Sequence, residues 1–399
     1  MPPLRRFLTP LLVALVASAC NKERAEGGNP TPSTPAATAP SAIAAQPSAP
    51  PSAAPQAPAP PPKEMPLEER REIPGGISFI SERDKNREVY LIKPDGTGER
   101  RLTENAIADY NGPGSPDGAS LLVIRVDGEE GPQQLFLQPL DGAAKPLGPK
   151  AGRVRFPSFS PDGRWVVFES DSGKGETASY SDIYRVGIDG SGWKRLTNNP
   201  EGNFDPVISP KGDSIVLVSS RDRVAELYRI KSDGSDPVRL TETPRDEWSP
   251  RFSPNGEQLA FVSDRDGADR VYLMPASGGP AGRASHRGDA ARVVEDRPTF
   301  SPSGKHLAYV LRAPPAPSRV IIVDLANGNE VEVTAPESGQ LSEPSWSPDG
   351  RHLAVTITRG QDQQIYLLRA DGSGLTRLTT APGGNWNPQW VPAPRKGKK

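Results

Sequence analysis

The sequence predicts an all-β fold built from repeats, and three observations support this prediction. A Ser-Pro-x-Gly tetrapeptide occurs six times, beginning at Ser115, Ser160, Ser209, Ser253, Ser301 and Ser347. Successive serines are 44 to 49 residues apart. Each interval contains short apolar, β-rich runs separated by turn residues. A period of this length filled with short strands is typical of a β-propeller, in which each repeat forms a four-stranded blade.

The first 19 residues have the three parts of a secretory signal peptide. Arg5 and Arg6 precede an apolar run at 7–17, which is too short to span a bilayer, and small residues follow. The next residue, Cys20, is the only cysteine, so no intrachain disulfide can form. The stretch resembles a bacterial lipobox, although Ala17 stands where leucine is usual. That resemblance implies lipidation of Cys20, and Asn21 implies export to the outer membrane; the alternative is an ordinary signal cut beside an incidental cysteine.

Residues 20–72 are predicted to link the lipidated end to the folded domain. The stretch 29–62 consists almost wholly of Pro, Ala, Ser, Thr and Gln. Such a composition has too little apolar surface to offset its ordering entropy, so we expect a disordered, extended tether. The charged residues 63–72 are expected to form no more than one loose helical turn.

Residues 73–392 contain the repeats. In residues 247–293, Pro250–Ser253 is predicted as a first strand, Gln258–Ser263 as a second, Arg270–Met274 as a third, and Arg292–Val294 as a weak fourth. Elsewhere an Asp-Gly or Asn-Gly dipeptide follows the third strand, where tight hairpins require positive φ. The tripeptide Arg-Leu-Thr marks the fourth strand at 101–103, 195–197, 239–241 and 377–379.

The strand count predicts seven blades, with six as the alternative should residues 105–150 fail to form one. The chain begins with a second strand at Ile77 and ends with a first strand at 387–390. Pairing that last strand with the first three would complete a split blade and close the ring, which removes exposed sheet edges.

The repeat resembles the TolB-type propeller repeat, which also occurs in the propellers of prolyl-oligopeptidase-like enzymes. The resemblance is carried by stretches such as Pro157-Ser-Phe-Ser-Pro-Asp-Gly163 and Pro344-Ser-Trp-Ser-Pro-Asp-Gly350, followed by strands such as Leu259–Ser263 and by Arg-Leu-Thr. It covers residues 77–392 and implies the fold; this repeat serves many functions. TolB carries an α/β domain ahead of its propeller, where this chain has the Pro-rich tether.

The sequence favours binding over catalysis. His286, His306 and His352 are scattered, so we expect neither a metal site nor a cofactor. Gly212-Asp213-Ser214 lies in register with the repeat turns, and the sequence has no Gly-x-Ser-x-Gly elbow. Aspartates at Asp264-Arg-Asp266 and Arg221-Asp222 could bind calcium, but ordinary turn chemistry explains them better.

The net charge and the basic tail limit the classes of partner that the chain is expected to bind. The formal net charge is −1, without the basic stripe that nucleic-acid binding requires. The one basic cluster lies in the tail, residues 393–399, which we expect to be disordered; contact with anionic lipid or cell-wall polymer is the alternative.

The candidate binding surface lies just before each first strand. Four aromatic residues share one repeat position, namely Tyr110, Phe204, Trp248 and Trp386. Carboxylates accompany them at Asp109, Asp205, Asp246, Glu247, Asp296 and Glu343. Because first strands line the channel of a propeller, we expect these side chains near one channel mouth, where aromatics favour partner binding. The alternative is that the rings wedge between blades.

Together these features predict a monomeric, lipid-anchored propeller facing the periplasm that binds an envelope protein. Two alternatives remain open: a carbohydrate- or cell-wall-binding propeller, and an enzyme with a small site in the channel.

Overall fold

The structure, a computed structural model, describes residues 64–128, 131–150, 152–172, 180–285 and 293–394. These residues form seven antiparallel four-stranded sheets, together with a helix at Leu67–Glu72 (α1) and a 3₁₀ turn at Pro336–Ser338. The predicted all-β, seven-bladed propeller is confirmed. Within these ranges, no helix has the length and apolar character needed to cross a bilayer.

The strands follow the predicted order. The first three are β1 (Gly76–Ser81), β2 (Glu88–Ile92) and β3 (Arg100–Arg101). Blade 1 contains β4 (Ala108–Gly114), β5 (Ser120–Val126), β6 (Gln133–Pro139) and β7 (Lys145–Pro146). Blade 2 contains β8 (Val154–Phe159), β9 (Trp165–Ser170), β10 (Asp182–Gly187) and β11 (Lys194–Arg195). Blade 3 contains β12 (Asn203–Ile208), β13 (Ser214–Ser219), β14 (Glu226–Lys231) and β15 (Val238–Arg239).

Blades 4 to 6 continue in the same way. Blade 4 contains β16 (Glu247–Phe252), β17 (Gln258–Ser263), β18 (Arg270–Pro275) and β19 (Gly282–Arg283). Blade 5 contains β20 (Val294–Phe300), β21 (His306–Ala313), β22 (Ala316–Asp324) and β23 (Glu330–Val333). Blade 6 contains β24 (Gln340–Trp346), β25 (His352–Arg359), β26 (Asp362–Arg369) and β27 (Thr376–Arg377), and the last strand is β28 (Asn385–Val391).

The last strand completes blade 7. β28 pairs antiparallel with β1, placing Gly76 opposite Val391 and Ile77 opposite Trp390, and the sheet order is β28-β1-β2-β3. The predicted split-blade closure is therefore confirmed. The innermost strands β4, β8, β12, β16, β20, β24 and β28 each contact the next around the ring, and β28 contacts β4. They surround the central channel of the propeller.

The fourth strand of blade 4 differs from the prediction. Gly282–Arg283 pairs with β18 as the fourth strand, and Val294 begins the first strand of blade 5; Arg292 lies outside the described residues. The reason is that Arg283-Ala284-Ser285 replaces Arg-Leu-Thr, with Ala284 and Ser285 buried in the places of Leu and Thr.

The Arg-Leu-Thr tripeptide recurs because it satisfies a buried polar group. In blade 7, the Thr103 hydroxyl accepts a hydrogen bond from Val89 N at 2.9 Å and donates one to Glu88 at 2.6 Å. Arg101 donates to the same carboxylate at 2.9 Å. Thr197 and Arg195 bind Asp182 in blade 2, and Thr241 and Arg239 bind Glu226 in blade 3. A buried carboxylate is tolerated only when it is paired in this way.

The Ser-Pro-x-Gly turns pack against one another at one end of the channel, which we call the turn end. Each glycine has positive φ, and a Cβ added at Gly163 would lie 3.7 Å from the Pro116 ring of the preceding blade. Gly212, Gly256, Gly304 and Gly350 face Pro161, Pro210, Pro254 and Pro302 in the same way. Gly118 instead faces the backbone of Pro392, so this contact completes the ring of turns.

Residues 65–73 pack on the propeller ahead of the boundary expected at residue 73. Met65 and Ile73 are buried, and the Met65 amide donates to Thr376 Oγ1 at 2.7 Å. In α1, Glu69 accepts two hydrogen bonds from Arg369, with Nε at 2.7 Å. These contacts with β26 and β27 bring the chain onto the propeller at the turn end.

The closing contact predicts a difference between two glycine substitutions. Gly118→Ala and Gly163→Ala share the cost of a left-handed alanine, about 1–2 kcal/mol, because their φ values are +71° and +70°. At Gly118 the new Cβ would also lie 2.2 Å from Pro392 O. Forcing that contact apart should cost a further 1–3 kcal/mol, roughly the cost of overpacking. Urea unfolding measures both losses; equal losses would contradict closure at Pro392.

Candidate functional site

Each first strand bends at a β-bulge near its middle. The register with the second strand shifts between Phe204 and Val207 in blade 3 and between Trp248 and Arg251 in blade 4, and the other blades shift at the same place. A proline follows the bulged residue in six blades. Proline has no N–H for a ladder, so it suits a bulge in an edge strand.

The bulged residues form a set that we call the bulge ring. Its members are Asn111, Phe156, Asp205, Ser249, Arg297, Glu343 and Asn387. The last six have φ between 44° and 56°, the left-handed region that glycine occupies elsewhere in this chain. A non-glycine residue in that region costs about 1–3 kcal/mol of folding free energy, and such residues cluster at functional sites.

Contacts across neighbouring blades hold one half of the bulge ring. The Asn111 side-chain amide donates to the Asn387 backbone carbonyl, and the Asn387 side-chain amide donates to Asn111 Oδ1, both at 3.0 Å. The backbone N–H of Asn387 donates to Glu343 Oε2 at 2.7 Å, and the Arg297 guanidinium lies 3.4 Å from Glu343 Oε1. The other half is tied by Asp205, which accepts from Arg251 at 3.2 Å. These contacts fix the side chains around the channel.

The predicted aromatics lie where the first strands begin, at the end of the channel opposite the turns. We call this end the channel mouth. Tyr110, Phe204, Trp248 and Trp386 occupy the same register, since they pair with Ile124, Val218, Val262 and Ile80.

The structure brings two of the four aromatics together. Tyr110 and Trp386 meet edge to face with ring centroids 6.1 Å apart, and the Tyr110 hydroxyl contacts Arg87. Tyr110 is buried in the core, as the wedge alternative expects, whereas Phe204, Trp248 and Trp386 are half-buried. Trp248 packs on the core between blades 4 and 5. Three aromatic rings therefore keep part of their surface toward solvent.

The six predicted carboxylates do not share one environment. Asp109 is fully buried and binds Arg125 at 2.8 Å. Glu247 is fully buried and accepts from Thr243, Ser263 and Arg265. Asp246 accepts from the Ala225 amide at 3.0 Å, and Asp296 binds Arg312. Only Asp205 and Glu343 belong to the bulge ring.

Sequence reasoning missed the remaining bulge-ring residues Asn111, Phe156, Ser249, Arg297 and Asn387. A signal was available for four of them, because each of these four precedes the proline in the middle of its first strand. The pattern x-Pro-x-aromatic-Ser-Pro marks Phe156, Ser249 and Arg297, and Asn387 differs from it only by Val391 in place of the serine.

The aspartates of the hairpins between second and third strands have tyrosine partners. Asp84, Asp222 and Asp266 accept hydrogen bonds from Tyr90, Tyr228 and Tyr272. Burial and then the hydrogen bond to Asp84 raise the pKa of Tyr90 to about 12. Arg83, Arg221 and Arg265 lie over the same tyrosine rings at 4.1–4.5 Å.

The described part of the chain holds no group of three or more His, Cys, Asp or Glu placed to bind a metal; His286 lies outside it.

The Glu169 carboxyl group binds the backbone of the bulge ring at Asp205. This β9 side chain is 2% exposed, and it accepts the Asp205 amide N–H at 3.2 Å. Burial raises its pKa to about 7, although Arg155 at 3.9 Å acts in the opposite direction. The neutral acid is therefore favoured in the folded protein below that pH.

Comparison with known proteins identifies the repeat. Residues 198–296 and 294–396 match the family described as the TolB beta propeller domain. A TolB homologue of Chlorobaculum tepidum is 32% identical over 93 residues, covering 23% of this chain and 21% of that protein. The chain spans less than half the length of the first curated relatives that it matches. The propeller is TolB-like.

Solved structures agree on the fold. TolB from Acinetobacter baumannii is 20% identical with a TM-score of 0.52, over 80% of this chain and 67% of that chain. A puromycin hydrolase S511A mutant is 16% identical with a TM-score of 0.62, over 78% of this chain and 53% of that chain. The same fold thus occurs in proteins with different names and roles.

The Glu169 environment predicts a pH dependence. Because its folded pKa of about 7 exceeds the ordinary value of 4.5, the folded state binds more protons between these values. Stability from this group is therefore full below about pH 4.5 and decreases as pH rises toward 7. Glu169→Gln keeps an acceptor for Asp205 N and should remove a decrease of about 2–3 kcal/mol. Chemical denaturation across this range measures the difference; parallel curves would contradict it.

Proposed function

We propose that this TolB-like propeller is a protein-binding module of the cell envelope and that its channel mouth contacts the partner. The observation that carries the proposal is the set of half-buried aromatics, Phe204, Trp248 and Trp386, on the first strands of three blades. A closed ring holds these strands in place, so little entropy is lost when they bind. Rigid aromatic anchors beside polar groups are typical of interface hot spots.

The bulge ring supports the proposal. The chain places glycine at many positive-φ turns but keeps Asp205, Arg297 and Glu343 on strained backbone. Their chemistry differs from blade to blade, so the mouth presents acidic, basic and amide groups in a fixed order. Such a pattern suits recognition of one polar segment of a partner, with the aromatics supplying affinity.

The attachment of the N-terminal segment also supports the proposal. Met65 and α1 pack at the turn end, opposite the channel mouth. A propeller tethered through residues 20–64 would leave its mouth accessible. We infer that lipidation of Cys20 holds the protein at the periplasmic face of a membrane, the outer membrane by the lipobox resemblance.

Two other functions use the same surface or channel. A glycan would also stack on half-buried aromatics, and the solved hydrolases show that this fold accompanies enzymes. The carboxylates closest to the mouth already bind arginines or backbone amides, as Asp109 and Glu343 do. That engagement favours recognition over acid–base chemistry.

Site-specific photo-crosslinking in cells tests the proposal. A crosslinker at position 248 should form an adduct with an envelope protein, because the position lies at the mouth. A crosslinker at Lys211, exposed on a turn at the opposite end, is the matched control. Adducts from Lys211 but not from 248 would move the interface to the turn end. Binding to a glycan array without any protein adduct would favour the carbohydrate-binding alternative.

Trp248→Ala should separate binding from folding. As an interface anchor, Trp248 should contribute at least about 2 kcal/mol of partner affinity, a loss of roughly thirtyfold or more. The melting temperature should fall less than with the control below, because Trp248 packs on the core but keeps part of its surface exposed. Trp346 is the control, since it is 7% exposed and its indole donates to Thr299 O in the neighbouring blade at 3.1 Å.

Trp346→Ala should instead cost about 3–5 kcal/mol of folding stability. If Trp248→Ala collapses the melting temperature in the same way, Trp248 belongs to the core and the mouth loses its main anchor.

Cys20→Ala should release the protein from the membrane. Acyl chains on Cys20 would give stable attachment, and nothing else in the proposal holds the propeller at a bilayer. Fractionation should find the variant exported, folded and soluble. An unchanged membrane fraction would show that another attachment exists.

A further inference from the structure

Two glutamates meet where blade 3 joins blade 4. Glu226 begins β14, Glu247 begins β16, and both side chains are fully buried. Thr243 touches both carboxyl groups: its amide donates to Glu226 Oε1 at 2.7 Å, and its hydroxyl donates to Glu247 Oε1 at 2.8 Å. The two acids therefore belong to one hydrogen-bond network.

The donors in this network are unevenly distributed. Glu247 Oε1 accepts from Thr243, from Ser263 at 2.9 Å and from Arg265 at 3.2 Å. Glu247 Oε2 is buried and has no hydrogen-bond partner. Both oxygens of Glu226 already accept, with Arg239 at 2.8 Å and Thr241 at 2.5 Å. A hydrogen on Glu247 Oε2, donated to Glu226, would satisfy the one oxygen that lacks a partner.

At two of the corresponding junctions, an asparagine supplies that hydrogen. Asn203 begins β12 and donates its side-chain amide to Asp182 at 2.8 Å. Asn385 begins β28 and donates in the same way to Gln364 at 3.1 Å. Glu247 occupies the position of these asparagines. A protonated carboxyl is the form of glutamate that can replace an amide donor.

We propose that Glu226 and Glu247 share one proton, and that this proton links the first strand of blade 4 to blade 3. Losing the proton leaves two buried carboxylates facing each other. The junction would then loosen at the start of β16, where Trp248 directly follows Glu247. The junction thus makes the mouth responsive to pH in the periplasm.

The neighbouring arginines oppose this proton only in part, because each has other partners. Arg239 is divided among Glu226, Asp222 at 3.7 Å and Glu242 at 3.7 Å. Arg265 also lies over the Tyr272 ring at 4.5 Å.

The remaining acids beside the junction are Asp246 and Asp264. Asp246 accepts from Ala225 N, and Asp264 accepts from Asp246 N at 3.1 Å. Burial, and then the hydrogen bond with Glu226, raise the pKa of Glu247 to about 7. Stability from the shared proton is therefore full below about pH 4.5 and is lost as pH rises through 7.

Glu247→Gln tests the shared proton, because glutamine keeps the acceptor oxygen and supplies a permanent donor to Glu226. The folding equilibrium constants of both proteins are measured by urea unfolding at about pH 5 and about pH 8. The ratio of variant to wild type should rise at least tenfold between them, as one unit of pKa difference requires. Glu169 is present in both proteins, so its own titration cancels in the ratio.

Asn203→Asp is the matched variant, because it places a second acid beside Asp182 and should create a new loss of stability with rising pH. A Glu247→Gln ratio that stays constant with pH would overturn the shared proton. The effect on the mouth rests on the proposed function and has a separate measurement. Trp248 emission, taken as the difference between wild type and Trp248→Phe, should shift with pH in wild type but not with Glu247→Gln. A pH-independent Trp248 signal would overturn the link to the mouth while leaving partner binding itself to the crosslinking result.

Discussion

The antiparallel pairing of β28 with β1 is the interaction on which the rest of the structure depends. Without it, β1 would be the open edge of a three-stranded sheet and β28 would have no strand to pair with. With it, every innermost strand has two neighbours, and the turn glycine Gly118 comes to rest on Pro392. The contact joins residues more than 300 positions apart, so its formation carries a loop-closure cost, and in return every blade of the ring is held between two neighbours. That rigidity is what allows the strained residues of the bulge ring to persist.

The fold was predictable because its signals are local and repeated. Ser-Pro-x-Gly marks a turn whose glycine needs positive φ, and Arg-Leu-Thr marks a fourth strand that must satisfy a buried acid. Even the weakest repeat obeyed the rule, since Arg283-Ala284-Ser285 performs the role of Arg-Leu-Thr. The fourth strand of blade 4 was predicted too far along the chain, because these strands are only two residues long. Arg283 pairs with the third strand there, as the arginine does in blades 2, 3, 6 and 7.

The candidate site was less predictable, because it depends on how blades meet. The aromatics could be aligned from the period alone, and their register is as expected. The surroundings of a carboxylate depend on its place relative to the bulge: Glu343 is itself a bulged residue, while Glu247 lies two residues before Ser249 and is buried between blades. The position of the bulge is a property of the backbone, and its one signal in the sequence is the proline that follows the bulged residue. Contacts such as that between Asn111 and Asn387 join repeats that are distant in the sequence, and neither repeat contains a pattern that predicts the contact.

The two ends of the channel obey different constraints. At the turn end, each Ser-Pro-x-Gly turn must fit the next, so the residues repeat, and the N-terminal helix adds a fixed contact through Glu69 and Arg369. At the channel mouth, the bulge tolerates aromatic, acidic, basic and amide side chains alike, because each points away from the ladder that holds the blade. The residues that repeat because the fold requires them are therefore concentrated at the turn end, and the side chains that vary in chemistry are concentrated at the channel mouth. In the proposed function, a partner at the mouth would contact residues that the fold leaves free to differ, so a repeat common to many proteins would carry a surface particular to this one.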